Sequence, residues 1–222
     1  MSNRKSTLRA LCVGLTLGLC FTVSGAQETA KGAADYWPFK AGNTWTLLTK
    51  IQDKNDPQTK TMSQVITVSK ATTKDGKTEA VLEYKAEGKT TQTETYQADA
   101  KSLMRIASGV GGGAKISPPF PVVLFPLTDG KKWDWKGTIK INGQDIAGSS
   151  HHTIRGPETL KTDAGTFQAM HVHVDLTVTA QGQSQKLVND YWFAPKVGLV
   201  KQKVTLGNQD VEGLVTSYKL KE

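Results

Sequence analysis

The chain has 222 residues, a formal net charge of +8 and two cysteines. Its first 26 residues have the pattern of an export signal, because Arg4, Lys5 and Arg9 precede an uncharged stretch that is apolar at its centre and ends in Ser24-Gly25-Ala26. The apolar part is shorter than the ~20 residues of a membrane-spanning helix, which excludes a transmembrane segment there. Cleavage after Ala26 leaves 222 − 26 = 196 residues, the size of one domain.

Cys12 and Cys20 both lie in this signal, so the predicted mature domain has neither disulfides nor a thiol nucleophile. One alternative stays open: if Leu17-Gly18-Leu19-Cys20 is a lipobox, Cys20 is lipidated. The mature charge is 25 − 20 = +5, and its basic residues are 25 − 2 = 23 Lys with only Arg105 and Arg155. Bidentate recognition of phosphate or guanine is mainly an Arg task, so we predict no nucleic-acid partner. Weak attraction to an anionic membrane or envelope polymer stays open.

From Trp45 onward, short runs rich in Thr, Val, Ile and aromatic residues alternate with Gly, Asp, Asn and Lys. This pattern is typical of antiparallel strands and hairpins. Only residues 27–36 have the composition of a short helix. The sequence therefore predicts an all-β domain with little helix.

Two segments share the pattern Pro-apolar-x-x-Gly-x-x-Trp at an offset of 126 − 38 = 88 residues. In each, the Pro fixes a turn, the Gly supplies an unusual backbone angle and the Trp opens a strand with a large buried face. These predicted structural corners are Pro38, Gly42, Trp45, Pro126, Gly130 and Trp133. We therefore predict two tandem repeats, about 36–107 and 124–222, joined by a Gly/Pro-rich connection at 108–123 that is neither helix nor central strand. A role for the two Trp as an aromatic ligand platform stays open.

The clearest hairpin runs from about Ser150 to Thr179 through a turn at Asp163-Ala164-Gly165. Its second strand alternates apolar and polar residues, so one face needs covering. With almost no helix to cover it, the sheet should curl into a barrel, half-barrel or sandwich. If the sheet stays open, the apolar face lines a ligand cavity; if it closes and fills, the same side chains form a packed core. The candidate lining residues are Met170, Val172, Val174 and Leu176.

All four histidines lie between residues 151 and 173. His171 and His173 share one strand face, as two ligands of one metal ion would. The expected register places Arg155 or Gly156 opposite His173, and a cation there would repel a metal. We therefore predict solvent-facing histidines and no metal, with these two as the only candidates.

No motif indicates catalysis. Ser149-Ser150-His151-His152 contains nucleophile and base types without a nucleophile elbow. The carboxylates alternate with Lys and Thr in the manner of solvent-facing residues; examples are Glu79, Glu83, Glu87, Glu94 and Glu158. We predict no enzyme, no catalytic residue and no cofactor.

Three segments carry a resemblance: Trp37 to Trp45, Ala164 to Ala169, and Tyr191 to Lys201. Together they resemble uncharacterised secreted bacterial β-proteins whose curved sheets are similar to those of the periplasmic lipoprotein carriers. The resemblance implies a one-domain barrel or half-barrel in a periplasm or outside the cell. The expected function is non-enzymatic binding of a lipid-like or amphipathic molecule, or of an envelope component. The alternative is a structural or protein-interaction module of the cell envelope with a filled core.

Overall fold

The computed structural model describes residues 32–221, so the predicted signal of residues 1–26 lies outside the described residues. A short helix, α1 (Ala33–Tyr36), precedes twelve strands. The strands are β1 (Thr44–Asp53), β2 (Asp56–Lys74), β3 (Lys77–Ala86), β4 (Lys89–Ala98), β5 (Ser102–Ser108), β6 (Ala114–Leu124), β7 (Lys132–Ile141), β8 (Gln144–Thr162), β9 (Gly165–Ala180), β10 (Gln183–Ala194), β11 (Gly198–Leu206) and β12 (Gln209–Lys219).

The strands form one closed antiparallel barrel, in which each strand pairs with the next and β12 pairs with β1. The prediction of an all-β, curved antiparallel sheet with little helix is confirmed, and the sheet closes. Eight strands leave an interior that side chains just fill, so twelve strands leave extra room. Within residues 32–221, no helix is long and apolar enough to cross a membrane.

The two predicted corners share the conformation of their glycines and the start of the next strand, although the peptide bond before Pro126 is cis and the one before Pro38 is not. Gly42 and Gly130 have φ of +91° and +75°, angles that glycine adopts without strain. Each donates its N–H to a carbonyl of the second strand that follows, at 2.8 and 2.9 Å. Trp45 and Trp133 are then the second residues of β1 and β7, with 1% and 9% of their surface exposed. The starts of β1 and β7 differ by 132 − 44 = 88 residues. Duplication of the whole domain stays a prediction.

One end of the barrel, here called the helix end, is closed by aromatic side chains that follow α1. Trp37 is buried, and its ring centroid lies 5.3 Å from that of Tyr96 and 5.5 Å from that of Phe193. Trp45 packs edge-on against Trp37 and donates its indole N–H to the carbonyl of Val197 at 2.7 Å. The other end, here called the far end, carries the β1–β2 and β11–β12 turns.

The predicted connection at 108–123 is wrong for most of its length, because β6 forms there. β6 pairs with β7 only along Ala114–Ser117, and its Pro-rich remainder pairs with β5 alone. Proline has no N–H to donate, so the ladder to β7 stops at this point. Two indoles close the seam instead: Trp135 donates to the carbonyl of Pro118 at 3.0 Å, and Trp133 to that of Pro121 at 3.1 Å.

The β8–β9 hairpin turns where the sequence predicts, with Thr162 paired to Gly165. Its predicted register is wrong, because Gly165 already pairs with Thr162 and an irregularity between Arg155 and Pro157 shifts the pairing further. His173 lies opposite Thr153, and Arg155 lies opposite His171.

Candidate functional site

A cavity of about 330 Å³ lies in the barrel lumen. This volume falls at the lower end of the ~300–1,000 Å³ range of small-molecule sites. Trp37 and Leu199, both buried, lie at its helix end. Lining residues nearer the far end are partly exposed and apolar, and include Ile51, Met62, Val204 and Val211. The cavity is therefore closed at the helix end and reached from the far end.

A buried ion pair forms part of the cavity wall. Glu94 on β4 and Arg105 on β5 lie with Oε1 and Nη1 3.2 Å apart, and their side chains are 5% and 18% exposed. Arg105 also donates from Nη2 to the hydroxyl of Tyr191 at 3.2 Å. The pair contributes no net charge to the lumen. Burial alone lowers the pKa of Arg105, but Glu94, Tyr96 and Tyr191 more than offset this, so its pKa is raised well above the ordinary value.

Tyrosine and glutamine donors also hold the Glu94 carboxylate in place. The hydroxyls of Tyr84 and Tyr96 donate to Oε2 at 2.7 and 2.5 Å, and Gln92 donates to Oε1 at 2.9 Å. Burial, followed by the nearby Glu94 charge, raises the pKa of Tyr84 well above 10.0. Burial also raises the pKa of Tyr96 well above that value, although the charge of Arg105 opposes the rise. Both tyrosines are therefore neutral donors at physiological pH.

Several buried polar atoms at this cavity have no hydrogen-bond partner. Among the described residues 32–221, four buried side-chain polar atoms lack one, and three of them belong to cavity-lining residues. These three are Nε1 of Trp37, Oγ1 of Thr49 and Nε of Arg105. An unsatisfied buried polar group costs about 1–3 kcal/mol, so native structures normally supply it with a protein group, water or ligand.

The chemistry of these atoms defines what the cavity can hold. The indole and guanidinium nitrogens are donors only, and the Thr49 hydroxyl can also donate. A group that satisfies them must accept hydrogen bonds, as a carbonyl, ether, hydroxyl, carboxylate or phosphate oxygen does. The apolar residues nearer the far end would contact hydrocarbon. The cavity thus suits a small amphipathic molecule that carries an acceptor group.

The predicted lining residues lie elsewhere. Met170, Val172 and Val174 are buried in the packed core, and Leu176 packs against that core. None of the four lines the luminal cavity. On this side of the barrel, large side chains from β7 and β8 fill the lumen. This wall therefore agrees with the second of the two expectations, a packed core, and not with a ligand cavity. Those side chains are Trp133, Trp135, His152 and Ile154.

Ser150 and His152 form a hydrogen bond of 2.8 Å between Oγ and Nε2, inside the barrel. Both residues are buried, and Nδ1 of His152 has no partner, so no third group orients the ring as in a catalytic triad. Burial lowers the pKa of His152 to about 3, with a smaller contribution from His151. This neutral ring is stacked on Trp133, with centroids 4.9 Å apart, and serves packing.

The metal candidates His171 and His173 do not face solvent freely. His171 is 6% exposed and stacks on Trp192, with ring centroids 4.3 Å apart. Both histidines contact Oδ1 of Asp190, through Nε2 of His171 at 2.6 Å and Nδ1 of His173 at 2.7 Å. Sequence analysis did not single out Asp190, because it lies on a different strand.

A cavity of about 540 Å³ also lies beside α1. Its rim includes Gly32, where the described residues begin, and we assign it no role.

The ion pair of the luminal site was not predicted from the sequence. Glu94 was predicted to face solvent with the other carboxylates, and the structure corrects this, since it is buried. The available signal was strand alternation: Gln92, Glu94 and Tyr96 share one face of β4, and the threonines between them share the other. Arg105, a rare Arg in a Lys-rich chain, was the second available signal.

A scan of family models and a search of curated proteins find no match. The fold does match solved structures. A predicted exported protein with a YmcC-like fold from Bacteroides fragilis aligns with a TM-score of 0.59 and 15% identity, over 85% of this chain and all of that one. A predicted lipoprotein from Parabacteroides distasonis aligns with a TM-score of 0.56 and 14% identity, over 83% of this chain and 98% of that one.

These similarities show a shared fold alone: the chain forms a β-barrel similar to those two structures. At this level of identity they show nothing about activity. The predicted resemblance to lipoprotein carriers stays a prediction.

Proposed function

We propose that this protein is an exported, non-enzymatic β-barrel that binds a small amphipathic molecule in its lumen. The observation that carries the proposal is the set of unpartnered donors at the cavity, on Trp37, Thr49 and Arg105. A structure whose interior served packing alone gains nothing from buried polar donors that lack a partner beside a cavity. A ligand with an acceptor group at one end and hydrocarbon at the other satisfies both parts of the cavity.

The cavity volume limits the size of the ligand. At about 30 Å³ for each water molecule in the liquid, 330 Å³ corresponds to roughly eleven waters. A molecule of about that many heavy atoms, such as a medium-chain fatty acid, fills the space. A longer hydrocarbon chain would extend past Met62 and Val211 toward the far end.

Two observations support a location outside the cytoplasm. The first is the predicted export signal, with a basic segment, an apolar segment and a small-residue cleavage site. The second is the fold, which the predicted exported protein and lipoprotein share.

The second candidate is a structural or protein-interaction module of the envelope. It is favoured by the filled side of the lumen, where Trp133, Trp135 and His152 are buried. In that case only water occupies the cavity, and the Glu94–Arg105 pair serves the fold.

A pair of adjacent substitutions on β2 distinguishes the two candidates. Met62 lines the cavity and is partly exposed, whereas Thr61 lies on the opposite face of the strand and is exposed. Met62→Trp fills the cavity near its opening, and Thr61→Trp is the matched control that adds the same ring outside the barrel. Binding is followed by the fluorescence of anilinonaphthalene sulfonate and its displacement by octanoate.

We expect wild type and Thr61→Trp to bind the probe and release it to octanoate. Met62→Trp should bind at least tenfold more weakly and melt within a few degrees of wild type. If both variants bind the probe equally, or if wild type does not bind it, luminal binding is refuted and the structural or protein-interaction module is the better description of the function.

A further inference from the structure

We propose that the outer wall of the barrel holds a divalent transition-metal ion, Zn²⁺ by its ligand chemistry, bound by His171, His173 and Asp190. Their side chains converge from two paired strands, since His173 on β9 lies opposite Asp190 on β10. One ligand atom from each residue lies within 4.8 Å of the other two. Metal–ligand bonds of about 2.0–2.2 Å fit between three atoms so placed after small adjustments.

The two carboxylate contacts of the His171 ring favour a cation at this point. Its Nδ1 lies 2.8 Å from Oε1 of Glu158, while its Nε2 lies 2.6 Å from Oδ1 of Asp190. A neutral imidazole carries one N–H, and an ionised carboxylate can only accept. In the neutral ring, the one N–H serves one of the two contacts, and a metal ion at Nε2 would serve the other.

His173 repeats this arrangement. Nδ1 lies 2.7 Å from Oδ1 of Asp190, and Nε2 lies 3.4 Å from Oδ2 of Asp175. Metal-bound histidines almost always donate their second ring N–H to a carboxylate, carbonyl or water, which fixes the ring and raises its basicity. Glu158 and Asp175 take this orienting role for His171 and His173.

The site is held rigidly and carries a favourable charge. His171 stacks on Trp192, whose indole N–H donates to Oε2 of Glu158 at 2.8 Å. Three carboxylates surround the two rings, and the neighbouring Lys201 and Lys203 are paired with acidic residues of β12 at 3.1 and 3.3 Å. Arg155 lies opposite His171 with an exposed side chain, so water screens its positive charge more than it screens the charge of the partly buried Asp190.

Two imidazoles and one carboxylate suit Zn²⁺ and leave a coordination position for water or an external ligand. Asp190 and His173 are partly buried, with side chains 15% and 14% exposed, so an ion reaches the site from solvent. The site lies on the opposite face of β10 from Asn189 and Tyr191, which line the lumen, so this inference is independent of the proposed luminal ligand.

The test uses mature protein purified without a histidine tag and dialysed against chelator. Zn²⁺ is titrated by calorimetry and by competition with a chromophoric chelator, and Co²⁺ is bound as a spectroscopic reporter. We expect one ion per chain, with a visible Co²⁺ absorption band of low coordination number. His173→Gln should weaken binding by about 100-fold or more, and Glu158→Gln by about 10–100-fold, the usual effect of losing an orienting partner.

His151→Gln is the matched control, because His151 also contacts a carboxylate, Asp134 at 2.6 Å, but is not part of the three-residue cluster. It should bind Zn²⁺ as wild type does, and circular dichroism should show that all variants are folded. The proposal is overturned if wild type binds no Zn²⁺, or if His173→Gln and Glu158→Gln bind it unchanged. Nitrogen chemical shifts that show both rings doubly protonated in the presence of Zn²⁺ would also overturn it, in favour of a charged hydrogen-bond cluster.

Discussion

Removing the guanidinium of Arg105 should destabilise the barrel strongly, because it leaves Glu94 as a buried charge. Breaking a buried pair by removing one partner costs about 3–5 kcal/mol. The Arg105 side chain is 18% exposed, so we take the lower limit, about 3 kcal/mol, for Arg105→Met. At ~2–4 °C per kcal/mol for a domain of this size, the melting temperature should fall by about 6–12 °C.

The double variant Arg105→Met/Glu94→Gln separates the loss of the pair from the loss of packing. It leaves no unpaired charge, so it should recover part of the stability lost in Arg105→Met. Arg155→Met is the control, since an exposed Arg should change stability by no more than about 0.5 kcal/mol. Urea unfolding followed by tryptophan fluorescence measures all four proteins. A loss below about 1 kcal/mol in Arg105→Met would refute the reasoning.

Three further predictions concern other buried groups. Because the pKa of His152 is lowered from 6.5 to about 3, only the unfolded chain binds this proton between those values. The contribution of His152 to the free energy of unfolding should fall by up to about 1.4 kcal/mol per pH unit below 6.5. His152→Gln should remove this contribution and His151→Gln should keep most of it, measured by urea unfolding at several pH values. If the two corners are equivalent, Trp45→Ala and Trp133→Ala should each cost about 3–5 kcal/mol, and a cost near zero at either would contradict their equivalence. Thr49→Val removes an unpartnered buried hydroxyl, so the variant without ligand should be no less stable than wild type and should bind octanoate more weakly, as measured by calorimetry. An unchanged affinity for octanoate would exclude Thr49 from the binding site.

The sequence could predict the local elements of the barrel but not the course of β6. Strand alternation and the two Pro-apolar-x-x-Gly-x-x-Trp corners are local, and both appear in the structure at Trp45 and Trp133. Prolines 118, 119 and 121 argued against a strand, because a central strand needs its N–H groups. In the structure, the indole N–H groups of Trp133 and Trp135 donate to carbonyls of this segment. These contacts join residues that are distant in sequence, so a local sequence pattern does not predict them.

The candidate sites depended on contacts between strands, which explains why the sequence revealed only parts of them. His171 and His173 lie two residues apart and could be named together, but Asp190 joins them only through the register of β9 with β10. Glu94 and Arg105 meet because β4 and β5 are neighbours, and the irregularity in their pairing cannot be derived from composition. Alternation placed Met170, Val172 and Val174 correctly on an inner face, but it did not decide which part of that interior is filled.

Native mass spectrometry of the mature protein, purified from the cells that produce it, tests binding in the lumen most directly. We expect a co-purifying small molecule, one per chain, that is amphipathic, carries an acceptor group and is absent from Met62→Trp purified in the same way. Wild-type protein that always has the mass of the polypeptide alone, or a bound molecule retained in Met62→Trp, would contradict binding in the lumen.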